Sequence, residues 1–494
     1  MSSKSKIANR LQPLNQTSQI ELLIRQDTMF HTTTQLSTTQ LSTTQLSTTQ
    51  LSTTQLSTTQ LSTTPSDRAR LHNASLPLIL LITSIMTLAS QAMASPEIPG
   101  APQKKPIAII GATIHPVSGK VIENGTIIFD KGKIIAIGRN VNIPAEAIKI
   151  DGRGKHVYPG LFDAFTNIGL VEINAVRATN DHTETGTFNP NVRAEVSVNP
   201  DSEMIPVTRS NGVLLALTAP AGGRISGRSA VLQLDGWSFE DLTLKSDVAI
   251  HVQWPNVKSG ESNGDIKKLR DFIEKARDYV KAKNELGDAQ PIDLRLEGMR
   301  DVLEKRTPMI VHADRLATIQ TAVAFAVAED LKLIIYGGYD APHCVELLKK
   351  HDVPVVVGGV YRLPMRTDDA YDTAYTVAAR LHLAGVKFCI SGEGRFGASN
   401  VRNLPYHAAM AAAFGLPQDE ALRAITLSPA EILGVADRVG SLEVGKHATL
   451  ILTNGNPLET PTLVEAAYVQ GRTVELNDRH KRLWKKYETK QRRQ

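Results

Sequence analysis

The sequence predicts an α/β fold on a mostly parallel sheet, either a TIM-type (β/α) barrel or a doubly wound sheet. Three observations carry this. Short apolar runs, MIVHA (309–313), KLIIYGG (332–338), VPVVVG (353–358) and VKFCIS (386–391), lack polar alternation, as strands buried on both faces do. Helix-length stretches separate them: an Ala-rich run to Glu329, then 341–351 and 369–384. The span 156–434 suits a TIM-type barrel of roughly 250 residues.

At 494 residues, 41% hydrophobic and 21% charged, the chain can bury a large core. Residues 1–67 are of another kind, because TTQLS recurs from 33 to 64 with a period that fits neither helix nor strand. Ser, Thr and Gln supply too little apolar surface to offset ordering, so this stretch is expected to be a disordered extension. Residues 68–94 read as a signal peptide: Arg68 and Arg70, the apolar run LPLILLITSIMTLA (76–89), then Ala92-Met93-Ala94 as an Ala-x-Ala cleavage site. The expected product is secreted or periplasmic, with no stable membrane insertion after cleavage. Cys344 and Cys389 can pair or remain as buried thiols.

From 95 to 155 short β-branched runs alternate with turns, Asn124-Gly125 before TIIFD and Lys131-Gly132-Lys133 before IIAIG, which read as hairpins. Residues 435–478 have the same character. A basic tail, 479–494, holds much of the excess behind the formal net charge of +5 and reads as a solvated terminal helix rather than a nucleic-acid site.

Within the barrel span, Ile266, Leu269, Ile273, Ala276 and Val280 form one stripe of an outer helix. GVLLALTAP (212–220) is strand-like, and AGGRISGRS (221–229) reads as a βα-loop whose backbone N–H groups, Arg224 and Arg228 can cradle an anion. His182 and Arg177 follow soon after the first strand and can enter the barrel mouth. There is no GxSxG elbow, no Cys-His pairing motif and no P-loop, which leaves acyl-enzyme and phosphoryl-transfer chemistry without support.

YPGLFDAFTN (158–167), VHADR (311–315), NLPYHAAMAAAFGL (403–416), ITLSPAEILGVADRVGSLEVGKHATLIL (425–452) and NGNPLE (454–459) together resemble secreted amidohydrolases of the imidazolonepropionase-like kind. The resemblance implies a TIM-type barrel, with the segments before and after it meeting in a small β-sandwich. It also implies zinc or another divalent metal that activates water, and an Asp at the end of the last strand that takes its proton. Carried over, the strand-five histidine matches His312, while the strand-one pair matches Phe165 and Asn167. The strand-six histidine falls at Tyr336 or Gly337, and the last-strand Asp at Gly392 with Glu393 beside it. A reduced site would take metal ligands from His312, Asp163 and His343, with His312 and Glu393 as catalytic groups.

The resemblance therefore implies an exported hydrolase acting on carbon–nitrogen bonds of a small molecule, other than linear peptide bonds and including cyclic amides. The alternative is a catalytically inactive barrel that binds a small molecule or partner protein. Related barrels are often oligomers, so a homo-oligomer is compatible with this reading.

Overall fold

The computed structural model describes residues 98–257, 264–392 and 397–493. The repeat, the signal-like segment and Glu393 lie outside the described residues. Five strands come first: β1 (Ile107–Ile114), β2 (Ile122–Asp130), β3 (Lys133–Gly138), β4 (Ile148–Asp151) and β5 (His156–Pro159). Eight follow: β6 (Leu161–Thr166), β7 (Val213–Thr218), β8 (Ile225–Gln233), β9 (Thr243–Gln253), β10 (Met309–Ala313), β11 (Leu333–Gly337), β12 (Val355–Gly358) and β13 (Phe388–Ser391). The chain then returns with β14 (Leu450–Thr453), β15 (Val464–Val469) and β16 (Arg472–Val474).

The first five and last three strands form one sheet in the order β16-β15-β14-β5-β1-β2-β3, with β4 also on β1. Lys131 and Gly132, both at positive φ, make the tight β2–β3 turn that Lys-Gly-Lys predicts. The sheet curls until Ile134 N donates to Lys446 O, and a separate core forms inside it from Ile109, Ile127, Phe129, Leu450 and Tyr468. Residues 156–159, expected to begin the barrel, instead pair with β1 and β14. The barrel starts at β6.

The second sheet runs β13-β12-β11-β10-β9-β8-β7-β6, nearly closed, with helices outside. The strands from β9 to β13 are parallel neighbours, as their uniformly apolar runs predict. β8 is the exception and runs antiparallel to both β7 and β9. It contains most of AGGRISGRS, so that stretch is a barrel strand rather than a βα-loop. Its arginines are committed to the scaffold. Arg228 donates to Pro190 O and Gly298 O and pairs with Asp247, while Arg224 pairs with Asp265 and donates to Gln253 O. Neither guanidinium is left for the anion cradle.

Side chains alternate along the strands. Ile250, Val252, Val311, Ile335 and Val355 belong to the core shared with the helices, whereas Phe162, Leu217, Ala249, Ile310, Ile334, Val356 and Cys389 fill the barrel. The outer helix Gly264–Leu286 buries Leu269, Ile273, Ala276 and Val280 as expected, and Tyr279 as well. Both cysteines are free and buried. Among the described residues no helix is long and apolar enough to cross a membrane.

Candidate active site

β9 and β10 run parallel in a register that pairs His251 with Ile310 and His312 with Gln253. His251 continues the interior series of Ala249, and His312 continues that of Ile310. Two imidazoles from adjacent strands thus meet inside the barrel near its C-terminal end, with ring centroids 5.9 Å apart. This is the end where barrel enzymes place their chemistry, because the strand tips are rigid and the loops there can vary.

Two aromatic rings complete the cluster. Phe165 lies 4.9 Å from His312, 5.5 Å from His251 and 4.0 Å from Tyr336, and Tyr336 lies 4.7 Å from His312. Apolar surroundings disfavour the charged form of an imidazole. Burial holds His251 well below the usual histidine value, with His312 as a secondary cause. Burial likewise brings His312 down to about 4, against the opposing pull of the Asp314 carboxylate. Both rings are therefore neutral at pH 7, each with one N–H donor and one bare acceptor nitrogen. Among the described residues, neither ring nitrogen of His251 nor Nε2 of His312 has a hydrogen-bond partner. Buried polar atoms are nearly always paired, so these nitrogens are open to a water or a polar ligand.

The loops over this end are braced. Asp314, two residues past His312, takes both terminal nitrogens of Arg362 at 2.7 and 2.9 Å. Asp340 accepts from Leu316 N and is gripped by Arg366, which also holds Asp369. Both guanidiniums lie over the Tyr339 ring. His407 is neutral by burial, at about 4, and its Nδ1 accepts from Val360 N. That bond ties the helix Leu404–Ala413 to the end of β12, a structural role consistent with its sequence position.

Asp163 has a different job from metal ligation. It is fully buried where β6 meets β13. Its Oδ1 accepts from Phe165 N at 3.2 Å and lies 2.8 Å from Ser391 Oγ, and its Oδ2 accepts from Gly392 N at 3.2 Å. Ser391 Oγ is also 2.8 Å from Phe165 O. One hydroxyl proton cannot serve both oxygens. Ser391 therefore donates to one of them at a time: to Asp163 Oδ1 when the carboxyl is ionised, or to Phe165 O when a protonated Asp163 donates to it in turn. Burial independently pushes the carboxyl up to about 7, against the three hydrogen bonds that favour the anion. Gly392 permits the contact, since a Cβ there would lie 3.1 Å from Asp163 Oδ2 and 3.3 Å from Leu404 Cα.

The sequence-derived residues therefore separate. His312 lies in the cluster, Asp163 lies in the barrel seam, and His343 is exposed on the 3-10 turn Ala341–His343 beside Asp340. Among the described residues, no three His, Cys, Asp or Glu side chains come together to hold a metal ion. Among the described residues a zinc site of three protein ligands is therefore not assembled, with Phe165 at a ligand position and Asp163 occupied by its donors. His182 sits beside the connection between β7 and β8, where its carbonyl accepts from Ala221 N, and Arg177 is exposed on a 3-10 turn. Sequence reasoning missed His251. Its signal was present: DVAIHVQ places a histidine late in an apolar strand, as MIVHA does.

Residues 209–475 match the amidohydrolase family model. The imidazolonepropionase of Mesorhizobium japonicum is 25% identical over 409 residues, covering 74% of this chain and 92% of that protein. That of Brucella anthropi is 24% identical over 389 residues, covering 67% and 87%. The crystal structure of an amidohydrolase from Thermotoga maritima MSB8 superposes with a TM-score of 0.69 at 26% identity, covering 75% of this chain and 99% of that one. Amidohydrolases are generally metal-dependent, and among the described residues here no metal-binding group of three donors forms. The chain belongs to the amidohydrolase family.

Proposed function

We propose that this chain hydrolyses carbon–nitrogen bonds of a small molecule outside the cytoplasm, with cyclic amides as the leading substrate class. Family membership and the imidazolonepropionase relatives support the reaction class. The signal-like pattern of residues 68–94 supports export.

The observation that carries the site assignment is the pair of buried, neutral imidazoles, His251 and His312, with unpartnered nitrogens. In this reading a water held against Nε2 of one ring gives up its proton as its oxygen bonds to the amide carbon. The N–H of the other ring donates to the carbonyl oxygen as negative charge grows there. The proton then passes to the leaving nitrogen as the carbon–nitrogen bond breaks. Low-dielectric surroundings strengthen each of these interactions, although they also make imidazolium costly to form. Glu393, next after Gly392 in the sequence, is the second candidate base. No step is routed through a metal, because the described donors do not complete a site for one.

Turnover of a panel of cyclic amides and dipeptides by wild type, His312→Ala, His251→Ala and Glu393→Gln tests the assignment. Loss of an acid–base group is expected to lower the rate by roughly 100-fold or more. Unchanged turnover in both histidine variants would remove the site. The second reading, a binding barrel without catalysis, is favoured by the aromatic lining that Phe165 and Tyr336 give the pair. Wild-type protein that binds panel compounds without turning any over would establish it.

A further inference from the structure

The C-terminal helix Arg479–Arg492 buries none of its residues. Asp478 caps it by accepting from His480 N and Lys481 N, and Arg482 pairs with Glu203 on the body at 3.3 Å. At about 3.6 residues per turn, His480, Leu483, Trp484 and Tyr487 fall on one stripe. His480, at its start, meets Arg402 on the body at 3.1 Å, while the three apolar side chains beyond it are exposed, at 40%, 66% and 56%. Around the stripe the segment 479–493 carries eight Lys and Arg and one acid, Glu488. This exceeds the formal net charge of +5 of the whole chain, so the remaining residues are net acidic.

We propose that this helix docks the protein on an anionic lipid surface, lying in the interface with Leu483, Trp484 and Tyr487 among the acyl boundary and its lysines and arginines on the headgroups. Two features select this partner. Tyr and Trp have an apolar body and a polar tip, which suits the membrane–water boundary. A cationic helix with an apolar stripe meets both demands of an anionic bilayer, burial of apolar area and charge attraction. A nucleic acid would satisfy the charge but leave most of the Leu483–Trp484 surface without a role. A second copy would bring two cationic helices together. The site lies outside the barrel interior, and the inference stands independently of the catalytic reading.

Co-sedimentation of the full chain with vesicles of phosphatidylcholine, alone or mixed with phosphatidylglycerol, tests it. Stronger binding to the anionic vesicles, weakened by salt, is expected. The triple substitution Leu483→Ser, Trp484→Ser, Tyr487→Ser should reduce that binding roughly tenfold or more, as should Lys485→Glu with Lys486→Glu. All five positions are exposed, so both variants should fold. The same full chain is used throughout because the apolar run 76–89 can itself bind lipid, and only the helix differs between the proteins. Anionic binding that survives both variants undiminished overturns the proposal. So does tighter binding to single-stranded RNA than to anionic vesicles, or a self-association that the triple substitution abolishes while lipid binding is untouched.

Discussion

Replacing Asp163 by Asn tests whether a neutral acid closes the barrel seam. The native carboxyl is raised to about 7 from the ordinary value of 3.8. One pKa unit corresponds to about 1.4 kcal/mol, so ionising Asp163 in the folded protein costs about 4 kcal/mol. The sign follows from the raised value. Its contribution to stability is fully present below pH 3.8, declines as pH rises, and is lost above about pH 7. An Asn in this place donates its amide to Ser391 Oγ and accepts from Gly392 N, giving up only the bond from Phe165 N, at a cost of about 1 kcal/mol. The variant should therefore be slightly less stable than wild type at pH 4 and about 3 kcal/mol more stable at pH 8. Urea unfolding of both proteins across this range measures the difference, cancelling other titrating groups. A difference that stays flat from pH 4 to pH 8 refutes the protonated seam.

Other consequences follow from the same geometry. Phe165→His with Asn167→His restores the family's strand-one pair, its first member beside His251 and His312, and zinc content after dialysis should rise from well below one per chain toward one; a wild type already near one would show that the native donors suffice, and a variant as low as wild type that the pair does not complete a site. A reaction that needs neutral His312 should fall as pH drops through about 4 and be insensitive to this group above it, as the pH profile of kcat/KM will show. Asp340→Ala removes the partner of both Leu316 N and Arg366 and should cost about 2 kcal/mol in unfolding free energy, with the loops over the barrel end loosened.

The parallel half of the barrel was legible because strands buried on both faces must be apolar throughout. MIVHA coincides with β10, and VPVVVG and VKFCIS contain β12 and β13. β8 was not legible as a strand. Gly222, Gly223 and Gly227 all take positive φ, and glycine clusters read as loops. Only pairing with β7 and β9, which local sequence does not encode, reveals the antiparallel turn of the chain there. The family signature identified Asp163 and placed Phe165, Asn167 and Tyr336 or Gly337 at the emptied ligand positions, but not which of these side chains pack on His312. The aromatic cluster of Phe165 and Tyr336 forms between residues far apart in sequence, and His251 acquires meaning only beside His312. His343 was a candidate through its proximity to a strand end, yet the 3-10 turn after β11 leaves it exposed.

The most direct measurement is the initial rate of cyclic-amide hydrolysis by wild type, His251→Ala, His312→Ala and the double variant. If the two imidazoles act as one unit, each single substitution lowers the rate by roughly 100-fold or more, and the double variant falls little further. Wild-type rates in either single variant, or losses that multiply in the double, contradict a shared site at the ends of β9 and β10.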